Sequence, residues 1–116
     1  MTSVAEHLLT VEEYTRMPDT GRPTELVRGR IVEMNLPTPR HGQICAEVSR
    51  LLGNHVRNGM LGRLTTNDSG IITERNPDTL RGADVAFYSK ARVGKGQLPD
   101  GYLETVPDLV FEVFSE

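Results

Sequence analysis

The segment PDLVFEVFSE, residues 107–116, contains an acidic residue in the middle of an apolar run. Every residue from Leu109 to Phe114 is apolar except Glu112. A run of this kind predicts a strand over 108–114 that is buried on both faces. Because burial of an unpaired carboxylate costs several kcal/mol, we expect something in the fold to compensate Glu112.

A second carboxylate lies at the start of another predicted strand, GADVAFYS, residues 82–89. If the two strands are neighbours, their alternation brings Asp84 and Glu112 side by side. Two carboxylates on adjacent strands suit Mg²⁺, which takes oxygen ligands at about 2.1 Å. Such an ion would also compensate the charge of Glu112. Two simpler interpretations stay open: Glu112 could pair with an arginine such as Arg81 or lie at a sheet edge, and Asp84 could merely begin its strand.

The remaining elements are predicted from caps, turns and periodicity. Thr10 and Glu13 form a capping-box pattern that predicts a short helix over 11–17. TELVRGRIVEM, residues 24–34, predicts a hairpin that turns at Arg28 and Gly29. A long helix is expected over 41–56, with an apolar stripe formed by Ile44, Val48, Leu51, Leu52 and His55.

The second half of the chain predicts short strands and loops. RLTT and SGIITE read as two strands around Asn67 and Asp68, and NPDTLRG, residues 76–82, reads as a turn-rich loop. From Lys90 to Pro107 we expect a surface loop with one helical turn.

Composition limits the function classes. The chain has 116 residues, of which 37% are hydrophobic and 25% charged, and it predicts a single domain over 1–116. Its net charge of -3 gives no bulk attraction to nucleic acid, so any DNA contact requires local basic patches. No signal segment and no long apolar run are present, which favours a soluble, cytoplasmic protein without a membrane partner. Cys45 and His55 lie on the apolar helical stripe, and both are expected to be core or boundary residues.

Four segments, in this order and spacing, resemble the Uma2 family of restriction-endonuclease-like proteins, which belongs to the PD-(D/E)xK nuclease superfamily. They are TELVRGRIVEM, PTPRHGQICAEVSRLL, RGADVAFYS and VPDLVFEVFS. The resemblance extends from about Leu9 to the end of the chain. It implies an α+β or α/β restriction-endonuclease-like core, in which an N-terminal hairpin and one long helix accompany a mixed sheet.

The resemblance also implies a metal-dependent endonuclease that hydrolyses phosphodiester bonds in DNA or RNA with Mg²⁺ or Mn²⁺. By position, Asp84 and Glu112 correspond to the acidic metal ligands of the family, and the main-chain carbonyl of Val113 would be a third ligand. Glu25 and His41 match recurrent positions near the same site and are further catalytic candidates. The simpler interpretations are an exposed hairpin residue for Glu25 and a contact at the start of a helix for His41.

Three features depart from the family pattern. Ala83 replaces the usual proline before the strand aspartate, and Phe114 stands where the superfamily lysine would be. Relatives carry a lysine on a following helix and are longer, so the chain resembles the N-terminal part of the domain. We therefore expect an incomplete domain that forms a homo-oligomer through residues 105–116. The alternatives to an endonuclease are a non-catalytic nucleic-acid-binding or protein-binding module of the same fold and an inactive fragment of a longer enzyme.

Overall fold

The computed structural model describes residues 6–114, so the predictions for residues 1–5 and for the last two residues of the chain lie outside the described part. The elements are α1 Val11–Thr15, β1 Thr24–Val27, β2 Arg30–Glu33, α2 Pro39–Gly59, β3 Gly62–Glu74, β4 Thr79–Ser89, α3 Lys90–Val93 and β5 Leu109–Phe111. The strands form one sheet against which α2 packs. The predicted class, an α+β restriction-endonuclease-like core, is confirmed.

Strand β4 is the centre of the sheet. Strand β3 pairs with it along one edge, whereas β1 and β5 share the other edge. On that shared edge β1 contributes the pair Leu26–Leu80, and β5 pairs with residues 85–87. A mixed sheet was expected, but every strand pairing within residues 6–114 is antiparallel. For β3 and β4 the reason is their short connection, residues 75–78, which cannot form the long crossover of a parallel pair.

The predicted hairpin and first helix are present. Arg28 and Gly29 have φ values of 49° and 79°, the left-handed conformation that a two-residue hairpin turn requires. The capping box of α1 has both of its hydrogen bonds, between Thr10 and Glu13. Val11 of α1 is buried in a core cluster whose other members are Leu26, Ile72 and Leu80.

Strands β3 and β4 are both longer than predicted. Residues 62–74 form one strand, because Asn67 and Asp68, at φ values of 64° and 54°, make a bulge rather than a turn. Gly82 allows this bulge to approach, since a Cβ atom there would lie 2.5 Å from the carbonyl oxygen of Asp68. Residues 79–82 belong to β4 and not to the predicted loop, because Thr79 and Leu80 are buried in the sheet.

Helix α2 presents only part of the predicted apolar stripe to the sheet. Its side chains that are buried or half-buried include His41, Cys45, Val48, Leu52 and Val56. Ile44, Leu51 and His55 were expected to point inward, but all three are exposed. The described sheet covers only one side of α2, and the half-buried polar residues His41 and Cys45 occupy that side.

Strand β5 is shorter and more exposed than the sequence indicates. Only Leu109–Phe111 pair with β4, and Leu109, Val110 and Phe114 are 45%, 41% and 96% exposed. The expectation of burial on both faces is therefore wrong for the described chain, because β5 is an edge strand with β4 as its strand partner. None of the helices within residues 6–114 combines the length and apolar character that crossing a bilayer requires.

Candidate active site and metal centre

The candidate site lies where the shared edge of β4 has no strand partner among the described residues. This interval falls between Leu80, which pairs with β1, and Val85, which pairs with β5. Val85 and Phe111 are the last pair of β4 and β5 at this point, and the charge of Asp84, the next residue of β4, acts on Glu112, which follows β5. The hairpin, β4 and the segment after β5 therefore meet at this point.

Asp84 is held by groups from two other parts of the chain. It is 8% exposed. Its Oδ1 lies 3.0 Å from Nε2 of His41 on α2, and its Oδ2 accepts the N–H of Val113 at 2.7 Å. Both carboxylate oxygens thus have fixed positions at the centre of the site.

Glu25 reaches the same interval from β1. Its side chain is only 12% exposed. Its Oε2 accepts the Gly82 N–H at 2.8 Å, and its Oε1 accepts Nε of Arg81 at 3.2 Å. Arg81 therefore forms an ion pair with Glu25, whereas the simpler interpretation of Glu112 had assigned this arginine to Glu112.

Glu112 is exposed, contrary to the expectation that its charge would be buried. The pKa of its carboxyl is nevertheless raised, first by partial desolvation and then by the negative charges of Asp84, Asp68 and Glu25, while Arg81 opposes the shift. Partial desolvation and the neighbouring carboxylates therefore both disfavour the ionised form of Glu112.

Asp68 also belongs to this acidic cluster, although only a position between two strands was predicted for it. Partial desolvation raises the pKa of its carboxyl, and the charge of Asp84 and a hydrogen bond to it act in the same direction. His41 opposes the shift. The bulge in β3 carries Asp68 to the site, and an Asn-Asp dipeptide alone gives no signal for such a bulge.

Cys45 lies at the site as well and was missed, since a core or boundary position was expected for it. Its sulfur, a ring nitrogen of His41 and a carboxylate oxygen of Asp84 all lie within 4.8 Å of one another. Desolvation raises the pKa of the thiol, and the charges of Asp84, Asp68 and Glu112 raise it further. The signal in the sequence was the four-residue spacing from His41, which sets both side chains on one helix face.

The acidic side chains gathered here are of the chemical type that binds a hard divalent cation. Asp84, Glu112, Asp68 and Glu25 supply carboxylate oxygens, the ligands that Mg²⁺ and Mn²⁺ prefer. The pKa values of Glu112 and Asp68 are raised first by partial desolvation and then by the neighbouring carboxylates, an effect that Arg81 opposes at Glu112 and His41 opposes at Asp68. Val113 lies beside Asp84 through its N–H, which places the residue, though not its carbonyl, in the contact network.

Two concave surfaces are lined in part by residues of α2, β3 and β4, the elements that carry site residues. A groove of about 840 Å³ includes Asp68 and continues along Gly70, Tyr88 and Tyr102. A pocket of about 410 Å³ is lined by four basic residues and no acidic one, namely Arg57, Arg63, Lys90 and Lys95. Arg57 follows His41 by sixteen positions on α2, so at 1.5 Å per residue the basic pocket lies roughly 24 Å from the site along the helix.

Comparison with known proteins gives a family and a fold. The Uma2 family model, described as "Putative restriction endonuclease", matches residues 11–116. The chain is also similar to the crystal structure of a protein described as "a putative nuclease belonging to DUF820" from Anabaena variabilis ATCC 29413, with a TM-score of 0.75 and 18% identity. The match covers 92% of this chain and 59% of that one, so the chain spans about three fifths of the length of this relative. None of the curated proteins matches.

Proposed function

Since the chain belongs to the Uma2 family, we propose that it is a metal-dependent endonuclease that hydrolyses phosphodiester bonds in nucleic acid, with DNA as the substrate. The observation that carries the proposal is the position of Asp84, buried and fixed at both oxygens beside Glu112, Asp68 and Glu25.

Asp84 and Glu112 would hold Mg²⁺ or Mn²⁺, with the main-chain carbonyl of Val113 as a third ligand. A bound ion of this kind polarises the scissile phosphate and lowers the pKa of an attacking water. The crowding of carboxylates supports this assignment, because a divalent cation is the charge that would stabilise their ionised forms.

The other site residues would act on position and charge. His41 and the Val113 N–H orient the two oxygens of Asp84. Glu25 holds Arg81, whose side chain is 56% exposed and can contact a phosphate oxygen. Arg81 would thus supply positive charge beside the scissile phosphate.

The basic pocket supports a polyanionic substrate. The chain as a whole has a net charge of -3, yet Arg57, Arg63, Lys90 and Lys95 form a lining without acidic residues. Their distance from Asp84, roughly 24 Å along α2, equals about seven base pairs of DNA at 3.4 Å each. We propose that this pocket contacts the backbone of the strand being cut.

We also propose that the chain forms a homodimer through β5. Strand β5 uses one edge to pair with β4, and its apolar residues Leu109 and Val110 are exposed. An open strand edge can pair with the same edge of a second copy.

Incubation of the purified chain with plasmid DNA and with RNA, in Mg²⁺, Mn²⁺ or EDTA, tests the proposed activity. We expect DNA nicking that requires a divalent ion and is abolished by Asp84→Asn and Glu112→Gln. Glu47→Gln, which changes an exposed glutamate on the outer side of α2, is the matched control and should cleave normally. Cleavage in EDTA, or by Asp84→Asn at the normal rate, would contradict the site. Binding of DNA without cleavage would instead identify a non-catalytic module.

A further inference from the structure

We propose that His41, Cys45 and Asp84 form a binding site for a thiophilic divalent cation such as Zn²⁺. This ligand set differs from the carboxylate set proposed for Mg²⁺ and shares only Asp84 with it. The observation is the convergence of three different donor types, a ring nitrogen, a thiol sulfur and a carboxylate oxygen, within 4.8 Å of one another.

The three donor atoms lie close enough together to be drawn onto one tetrahedral ion. Zinc binds histidine nitrogen at about 2.0–2.1 Å, cysteine sulfur at about 2.3 Å and carboxylate oxygen at about 2.0–2.2 Å, which separates the donors by roughly 3.3–3.6 Å. The His41 nitrogen and the Asp84 oxygen are now 3.0 Å apart. The ion would therefore part these two atoms by a few tenths of an ångström, and the sulfur would lie roughly 3.6 Å from each of them. The fourth position would take a water molecule.

The scaffold holds the three residues in place. His41 and Cys45 lie one turn apart on α2, and the hydroxyl of Thr38 caps the start of this helix by accepting the His41 N–H. The Val113 N–H fixes Asp84 on β4. All three side chains are buried or half-buried, so little conformational freedom remains to be lost on binding.

The chemistry of the donors selects the ion. Thiolate and imidazole favour Zn²⁺ and related transition metals over Mg²⁺, which prefers oxygen and retains its waters. Binding deprotonates the Cys45 thiol, and the proton passes to solvent. Because the ion would use Asp84, Zn²⁺ should compete with Mg²⁺ and inhibit cleavage, a consequence that rests on the proposed endonuclease function.

Titration with Co²⁺ tests the site without any activity measurement. Cys45 is the chain's only cysteine, so a near-ultraviolet sulfur-to-cobalt charge-transfer band can report only this residue. We expect one Co²⁺ per chain, a charge-transfer band that Zn²⁺ removes, and loss of the band in Cys45→Ser. Loss of an outer-shell partner alone costs about 10–100-fold in metal affinity, so Cys45→Ser and His41→Gln should each weaken Zn²⁺ binding at least about tenfold in calorimetry.

His55→Gln is the matched control, because this histidine is exposed on the same helix. It should leave the band and the Zn²⁺ affinity unchanged, and circular dichroism should show that all variants are folded. Absence of the band at saturating Co²⁺, or a Zn²⁺ affinity unaffected by Cys45→Ser, would overturn the inference. A band without DNA cleavage would refute only the endonuclease, whereas metal-dependent cleavage without a band would refute only the thiolate site.

Discussion

Glu25 on β1 accepts the main-chain N–H of Gly82 on β4 at 2.8 Å, at a point where the edge of β4 has no strand partner among the described residues. The Glu25 side chain thus accepts a main-chain hydrogen bond that the carbonyl of a neighbouring strand accepts elsewhere in a sheet. The other oxygen of Glu25 binds Arg81, so this carboxylate joins the hairpin to the site.

Glu25→Ala should reduce the free energy of unfolding by about 1–3 kcal/mol, because Gly82 loses its acceptor and Arg81 its partner. Glu25→Gln should cost less, since the amide oxygen can still accept from Gly82. Urea unfolding measures both values. Glu33→Ala, at an exposed ion pair with Arg22 on the same hairpin, is the control and should change stability by less than about 0.5 kcal/mol. Equal effects of Glu25→Ala and Glu33→Ala would show that the bridge to β4 is unimportant.

Asp78 should make the fold sensitive to acid. It is 5% exposed and accepts hydrogen bonds from the N–H groups of Val11 and Asn76 and from Arg75. The bond from Val11, followed by those from the other two, holds its pKa below the ordinary value of 3.8. Because the folded pKa is the lower one, the stabilisation is complete above about pH 4 and is lost as the pH falls through the folded pKa.

The matching experiment is urea unfolding of Asp78→Asn across the acidic range. The variant should be less stable than the parent by about 1.5–3 kcal/mol at neutral pH, and this difference should shrink below about pH 4. Asp100→Asn, at an exposed loop position, should follow the parent at every pH. A difference that stays constant with pH would mean that the charge of Asp78 is not what stabilises the fold.

The ionised carboxylates of the acidic cluster should destabilise the fold, in contrast to that of Asp78, and Mg²⁺ should restore stability. Because the pKa values of Asp68 and Glu112 are raised in the folded chain, their ionised forms lower stability above those pKa values. In EDTA at neutral pH, Asp68→Asn should therefore raise the melting temperature. Millimolar Mg²⁺ should raise the melting temperature of the parent, and less so that of Asp84→Asn, because ligand binding stabilises the folded state. Melting curves of the parent that are identical in EDTA and Mg²⁺ would count against an ion at this cluster.

The edge of β5 that has no strand partner within residues 6–114 should bring two chains together. Each aliphatic side chain buried at such a contact contributes about 1.5–3 kcal/mol, so light scattering at micromolar concentration should report a dimer. Val110→Lys should yield monomers, because it places a charge on the exposed strand that forms the proposed contact between the two chains. Leu36→Lys changes a residue that is 80% exposed in the connection from β2 to α2, and this variant should remain dimeric. A monomeric parent chain would exclude pairing through β5.

Local rules predicted the elements that depend on local contacts. The Arg28-Gly29 turn and the Thr10–Glu13 capping box were found because a few adjacent residues determine them. The extent of β4 was not found, because Thr79 and Leu80 become strand residues only when the core formed by Val11, Leu26 and Ile72 packs against them.

The candidate site likewise combines features that the sequence predicted with features that depend on tertiary packing. His41 and Asp84 were expected close together, and the structure joins them by a contact of 3.0 Å, although their catalytic roles stay predictions. Asp68 was missed because a bulge carries it inward, and Cys45 because its position on the apolar stripe of α2 indicated a packing role. Glu112 was given a buried position from its apolar neighbours, and this failed because β5 is a short edge strand that ends before Glu112 and leaves it exposed.

The shared edge of β4 also affects the order in which contacts form during folding. The contacts at this edge join residues far apart in the chain: 57 positions separate Glu25 from Gly82, 43 separate His41 from Asp84, and 29 separate Val113 from Asp84. Contacts of such long range form late, because the intervening loops must first be closed. During synthesis the hairpin and the long helix leave the ribosome before residues 105–114 exist. A nascent chain therefore carries the flanking elements first, and its carboxylate cluster is finished only when the final segment is in place.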